Sequence, residues 1–107
     1  MRKIISTNNA PKAVGPYSQA IEANGTLYVS GQLPVNPTDG SVSESIEAQT
    51  EQSLKNIGAI LTEAGYTYKD VVKSTVLLTD MNDFAAMNAV YARFYTEQMP
   101  ARVCYQV

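Results

Sequence analysis

Apolar and polar positions change rhythm along this chain, and each rhythm predicts a different element. Residues 2–6 alternate weakly, as a short first strand or a sheet edge does. Asn8, Asn9, Pro11, Gly15 and Pro16 break any regular pattern and predict a loop. Residues 17–23 read as a strand, Asn24-Gly25 as a two-residue hairpin turn, and residues 26–30 as the returning strand, closing at Gly31. Pro34, Pro37, Asp39, Gly40 and Ser41 then predict a long, turn-rich connection.

The period next becomes helical. Ile46, Leu54, Ile57, Leu61 and Ala64 share one face, and Gly65 is placed to end the helix in a left-handed conformation. Ser41 and Glu44 have capping-box spacing, and Glu44 and Glu47 suit the positive end of the helix. Residues 71–79 return to the strand period. Val72, Ser74, Val76 and Leu78 point one way, and Val71, Lys73, Thr75 and Leu77 the other. Large apolar groups on both faces predict a central strand with helices on one side and a partner on the other.

Asp80 or Asn82 is expected to cap a second helix with an inner stripe of Phe84, Met87, Tyr91, Phe94 and Gln98, ended by Pro100. Beyond Pro100, Val103, Tyr105 and Val107 alternate with Arg102, Cys104 and Gln106 in a last strand. The predicted order β-β-β-α-β-α-β is an α+β fold, a mixed sheet with two helices packed on one face. The other sheet face, where apolar, calls for a partner subunit.

Composition narrows the chemistry. The 107 residues suit a single domain, and an apolar share of 45% supports a real core. A net charge of −2 and eight dispersed basic residues argue against nucleic acid as the main partner. Residues 1–5 show no signal-peptide pattern, and no run approaches the roughly 18 apolar residues of a membrane helix. The single Cys104 excludes an intrachain disulfide, so a soluble, cytoplasmic protein is expected. There is no histidine, which removes the commonest general base and, with one cysteine, the usual zinc ligand sets.

Candidate chemistry therefore rests on other groups. Arg102, at the start of a stiff strand, is well placed to fork onto a carboxylate; an ion pair is the alternative. Tyr17 lies at a loop-to-strand junction, as a packing ring or as a ring presented to a ligand. Ser30 and Gly31 end a strand where backbone can approach a ligand closely, or simply terminate it. Asn88 sits at the rim of the second helix's stripe, where its amide needs partners, as a cap onto a nearby loop or as part of a site. Cys104 shares a face with Arg102, as a small buried hydrophobe or a reactive thiol.

Taken in order, Gly15-Pro16-Tyr17-Ser18-Gln19-Ala20, Val29-Ser30-Gly31-Gln32, Asp70-Val71-Val72-Lys73-Ser74-Thr75-Val76, Met81-Asn82-Asp83-Phe84, Asn88-Ala89-Val90-Tyr91 and Pro100-Ala101-Arg102 closely resemble the RidA (YjgF) reactive-intermediate deaminase family. The resemblance spans essentially the whole chain. It implies a chorismate-mutase-like fold, a homotrimer with its sheets facing inward, and a ligand cleft at each subunit boundary. It implies hydrolysis of 2-imino acids and their enamine tautomers, such as 2-aminoacrylate, to 2-oxo acids and ammonia, with no cofactor and no metal.

By matched position, Arg102 would grip the substrate carboxylate and Tyr17 would line the pocket near the reacting carbon. Ser30, Gly31 and Asn88 would shape the cleft, and the backbone of Cys104 would approach the imine. A non-catalytic trimer binding small carboxylates or a protein through the same clefts is the alternative. Chorismate mutase itself would need several cations around a dicarboxylate. Typical members continue into a final strand with a glutamate that activates water. No counterpart follows Val107, so the sequence is either a shortened version or uses another group to position water.

Overall fold

The computed structural model describes residues 1–107. Strand β1 (Arg2–Ile5) pairs antiparallel with β2 (Ala20–Ala23), which turns back antiparallel onto β3 (Thr26–Val29). Asn24 and Gly25 both take positive φ, 53° and 77°, as a tight hairpin whose twist matches the strands demands. After a long connection come helix α1 (Ile46–Ala64), a 3-10 turn (Tyr68–Asp70), β4 (Lys73–Leu78), a second 3-10 turn (Met81–Asp83), α2 (Phe84–Phe94) and β5 (Ala101–Gln106). Strands β4 and β5 pair in parallel, with Ser74 opposite Arg102 and Val76 opposite Cys104. Antiparallel and parallel ladders with two helices give the α+β mixed-sheet architecture expected from the sequence.

Helix α1 ties the two ladders together. Leu54 packs with Leu78 of β4, Met87 and Tyr91 of α2, and Tyr95. Farther along, Ile60 packs with Ile5, Ala10 and Ala20 at the other ladder. One helix thus roofs both halves, its apolar stripe dividing its contacts along its length. Gly65 closes it with φ 86°, its N–H bonding back to Leu61 and Thr62 carbonyls.

Several boundaries differ from the sequence-based expectations. Strand β2 begins at Ala20, not Tyr17, because the Tyr17 N–H turns back to the Gly15 carbonyl at 2.8 Å. Ser45 is the α1 N-cap, accepting from Ala48 N at 3.1 Å, so the capping box predicted for Ser41 and Glu44 does not form. Strand β4 begins at Lys73, because the 3-10 turn with its Thr67–Asp70 capping box occupies the preceding residues. Asp80 caps the second 3-10 turn through Asn82 N at 2.9 Å, and α2 continues from that turn.

Helix α2 stops at Phe94, before Pro100. Tyr95 turns into the core at 4% exposure, and Gln98, at φ 49°, lies outside the helix rather than on its stripe.

The two faces of the β4–β5 ladder have opposite fates. Val76, Leu78 and Cys104 face the helices and join the core. Leu77, Val103 and Tyr105, on the other face, remain 53%, 42% and 50% exposed. Ile4 and Tyr28 are likewise exposed on the antiparallel ladder, each opposite Ile21. Only 13 of 107 residues are buried, and one copy leaves these large apolar side chains open on both ladders. No helix is long and apolar enough to cross a membrane.

Candidate functional site

The last strand brings Arg102 under α2. Its position is stiff, because Ala101 N bonds to Val72 O at 3.1 Å and the ladder pairs Arg102 with Ser74. Phe84, Asn88 and Tyr91 follow one another at i, i+4 and i+7, so they share the face of α2 that meets it. The guanidinium Nη1 donates to Asn88 Oδ1 at 2.7 Å. Its carbon lies 4.7 Å from the centroid of the Tyr91 ring and 5.4 Å from that of Phe84.

No carboxylate joins this group. The ion pairs lie elsewhere, with Glu51 taking Arg93 at 2.9 Å and Lys55 at 3.9 Å, and Glu97 taking Lys69 at 3.5 Å. The alternative of Arg102 as a surface ion pair is therefore not what the structure contains. Arg102 keeps an uncompensated positive charge beside two aromatic faces and an amide oxygen. Cys104, two residues on and on the same side, is a half-buried free thiol packed against the core.

Behind the cation is an aromatic column. Tyr91 meets Tyr95 at 4.5 Å between centroids, Tyr95 meets Tyr68 at 5.5 Å, and Tyr68 meets Phe94 at 5.6 Å. Burial pushes the Tyr95 and Tyr68 hydroxyls above the ordinary tyrosine range, so both stay protonated near neutral pH. Tyr68 Oη donates to Leu54 O at 2.5 Å, but the buried Tyr91 Oη has no partner.

Tyr17 and Ser30 belong to a second group. They line an open hollow of about 560 Å³ together with Arg2, Gly15, Ser18 and Tyr28. Tyr17 folds back over Gly15, and its Oη accepts from Val14 N at 3.3 Å. Ser30 Oγ donates to Ser18 O at 2.6 Å. Gly31 is free of any neighbour that a Cβ would touch within 4 Å, so nothing inside one chain demands glycine there. Six sequence-predicted site residues thus fall into two sets, Arg102–Asn88–Cys104 and Tyr17–Ser30–Gly31. No hydrogen bond or ring contact joins the sets within one copy.

Sequence reasoning passed over four residues that build these sets. Phe84 and Tyr91 read as core stripe; their i, i+7 spacing around Asn88 was the available signal. Gln19 is buried, accepting from Thr7 N at 2.7 Å and donating to Pro11 O at 2.7 Å and Thr7 O at 3.1 Å, which fastens the loop leading to Tyr17. Asn56 is buried on α1 and donates to Leu33 O at 3.1 Å and Val35 O at 3.0 Å, which fixes the chain after Gly31. No local pattern marks either amide, because the backbone partners lie 8 to 23 residues away.

A family model described as Endoribonuclease L-PSP matches residues 7–107. A protein named 2-iminobutanoate/2-iminopropanoate deaminase from Mus musculus is 47% identical over 108 residues, covering 100% of this chain and 80% of that one. The chain belongs to the Rid (YjgF) family. A RutC family protein from Pyrococcus horikoshii is 53% identical, covering 100% of this chain and 86% of that one. Among solved structures similar to this Rid protein, E. coli TdcF with bound serine matches with a TM-score of 0.94 and 42% identity, covering 98% of this chain and 85% of that one.

Proposed function

We propose that this Rid protein hydrolyses 2-imino acids and their enamine tautomers to 2-oxo acids and ammonia, as a cytoplasmic homotrimer. The observation that carries the reading is the uncompensated Arg102 guanidinium, held by Asn88 and two rings with no acidic partner. With one Nη bonded to Asn88, the remaining donors are available to fork onto a 2-imino carboxylate.

Two further observations support a site shared between copies. Tyr17, Ser30 and Gly31 lie apart from Arg102, and both ladders leave large apolar side chains open, Leu77, Val103 and Tyr105 on the parallel one and Ile4 and Tyr28 on the antiparallel one. Packing those faces together lets one copy offer Arg102, Asn88 and Cys104 and its neighbour offer Tyr17, Ser30 and Gly31. The relatives named as imine deaminases support the same reaction class.

The chemistry needs little beyond positioning. The C2 carbon of a protonated imine is electrophilic. Water adds there, the resulting carbinolamine loses its C–N bond, nitrogen leaves as ammonia and the oxygen remains as the 2-oxo group. Arg102 fixes the carboxylate, the Tyr17 ring shields the carbon, and the Cys104 backbone lies along the strand edge by the imine. Holding substrate and water in register supplies a large share of the acceleration.

Calorimetry with 2-oxobutanoate, the product-like ligand, tests the assignment. Wild type is expected to bind and Arg102→Ala to lose binding by on the order of 2–5 kcal/mol. Equal affinities would make Arg102 structural.

A further inference from the structure

We propose that Phe84 and Tyr91 are positioning residues which, with Asn88, form a charge-neutral cradle that orients Arg102 without neutralising it. The inference deepens the carboxylate-binding role just given to Arg102 and rests on it for its functional consequence. Its structural part stands on the contacts themselves.

A guanidinium can be fixed in two ways. A carboxylate fixes it strongly but occupies the fork and cancels the charge that a ligand must find. Aromatic faces and an amide oxygen fix it through the ring quadrupole and one hydrogen bond, leaving both the charge and the other donors free. This chain uses the second way. The i, i+4, i+7 spacing places a ring, an amide and a ring along one face of α2, at 5.4 Å, 2.7 Å and 4.7 Å from the guanidinium carbon or nitrogen.

The support is stiff where it needs to be. Tyr91 is only 8% exposed and stands on the buried Tyr95 ring, which in turn meets Tyr68. The Tyr91 hydroxyl has no partner, so the ring face, not the hydroxyl, does the holding.

Two measurements on the full chain test this. In the first, the Nη resonances of Arg102 are followed by NMR without ligand. Wild type is expected to show hindered rotation of the guanidinium, Tyr91→Leu and Phe84→Leu averaged signals, and Tyr91→Phe hindered rotation again. The rescue by phenylalanine separates the ring from a general loss of packing, and melting temperatures report the latter. Free rotation in wild type, or no change in the leucine variants, overturns the cradle.

In the second, affinity for 2-oxobutanoate is measured for Asn88→Asp and Tyr91→Leu. Each is expected to weaken binding about tenfold or more, Tyr91→Leu by loosening the cation and Asn88→Asp by pairing with it. Asn88→Asp should do so without lowering the melting temperature, since it adds an ion pair at an exposed site. Wild-type affinity in Asn88→Asp overturns the neutrality argument. If wild type shows hindered rotation yet binds no 2-oxobutanoate, the cradle stands and the carboxylate-binding reading falls.

Discussion

Arg102 illustrates how much a residue's partners decide its use. A planar cation over two rings can stay oriented while keeping its charge, whereas an ammonium at the same place is a point charge on a flexible stem. Arg102→Lys should therefore retain only a fraction of the affinity for 2-oxobutanoate, between wild type and Arg102→Ala, as calorimetry would show. Affinity equal to wild type in the lysine variant would mean that charge alone suffices. Ser30 makes the opposite case, since its hydroxyl proton is already given to Ser18 O. Gly31 has open space where a Cβ would stand.

At the scale of elements, two buried amides hold the connections that carry the site. Asn56→Ala strands the Leu33 and Val35 carbonyls and removes the partner of Gln52, whose Nε2 donates to Asn56 Oδ1 at 2.9 Å. The expected cost is on the order of 1–3 kcal/mol per stranded group, read as a lowered denaturation midpoint with an unchanged m-value.

These amides also show where legibility ended. The hairpin at Asn24-Gly25, the α1 stripe and the Gly65 stop were readable because their rules are local. The bonds of Gln19 reach 8 to 12 residues and those of Asn56 reach 21 and 23, beyond any window of periodicity. The end of α2 was misread for the same reason, because burial of Tyr95 against Tyr91 and Tyr68 stops the helix before Pro100 can. The ordered motifs pick out Arg102, Tyr17 and the other candidate positions, but their division into two sets is a property of the folded chain.

At the scale of the molecule, the open apolar side chains of both ladders and the divided site point the same way. Light scattering at micromolar concentration should report a trimer. Tyr105→Glu, which puts a charge into the face without touching the core, should shift it toward monomer and lower 2-oxobutanoate affinity together. A monomer in wild type would contradict the shared site.

Buried Tyr95 and half-buried Tyr68 set an alkaline limit on the same molecule. Tyr68 and Tyr95 have folded pKa values raised above the ordinary 10.0, mainly by burial, so unfolded chains lose these protons first. Stability from this source is complete below about pH 10 and is lost as pH rises through the folded values. Melting temperature should fall from about pH 10 upward.

The central claim is that this Rid protein turns over imines at a site anchored by Arg102. The direct measurement generates 2-aminoacrylate in place with a pyridoxal-phosphate-dependent dehydratase and follows its disappearance and the release of ammonia. Wild-type protein should accelerate both well beyond spontaneous hydrolysis, and Arg102→Ala, folded by its melting curve, should return them to the spontaneous rate. Binding of 2-oxobutanoate with no acceleration would make the protein a carboxylate binder rather than a deaminase. Acceleration that survives Arg102→Ala would contradict the site.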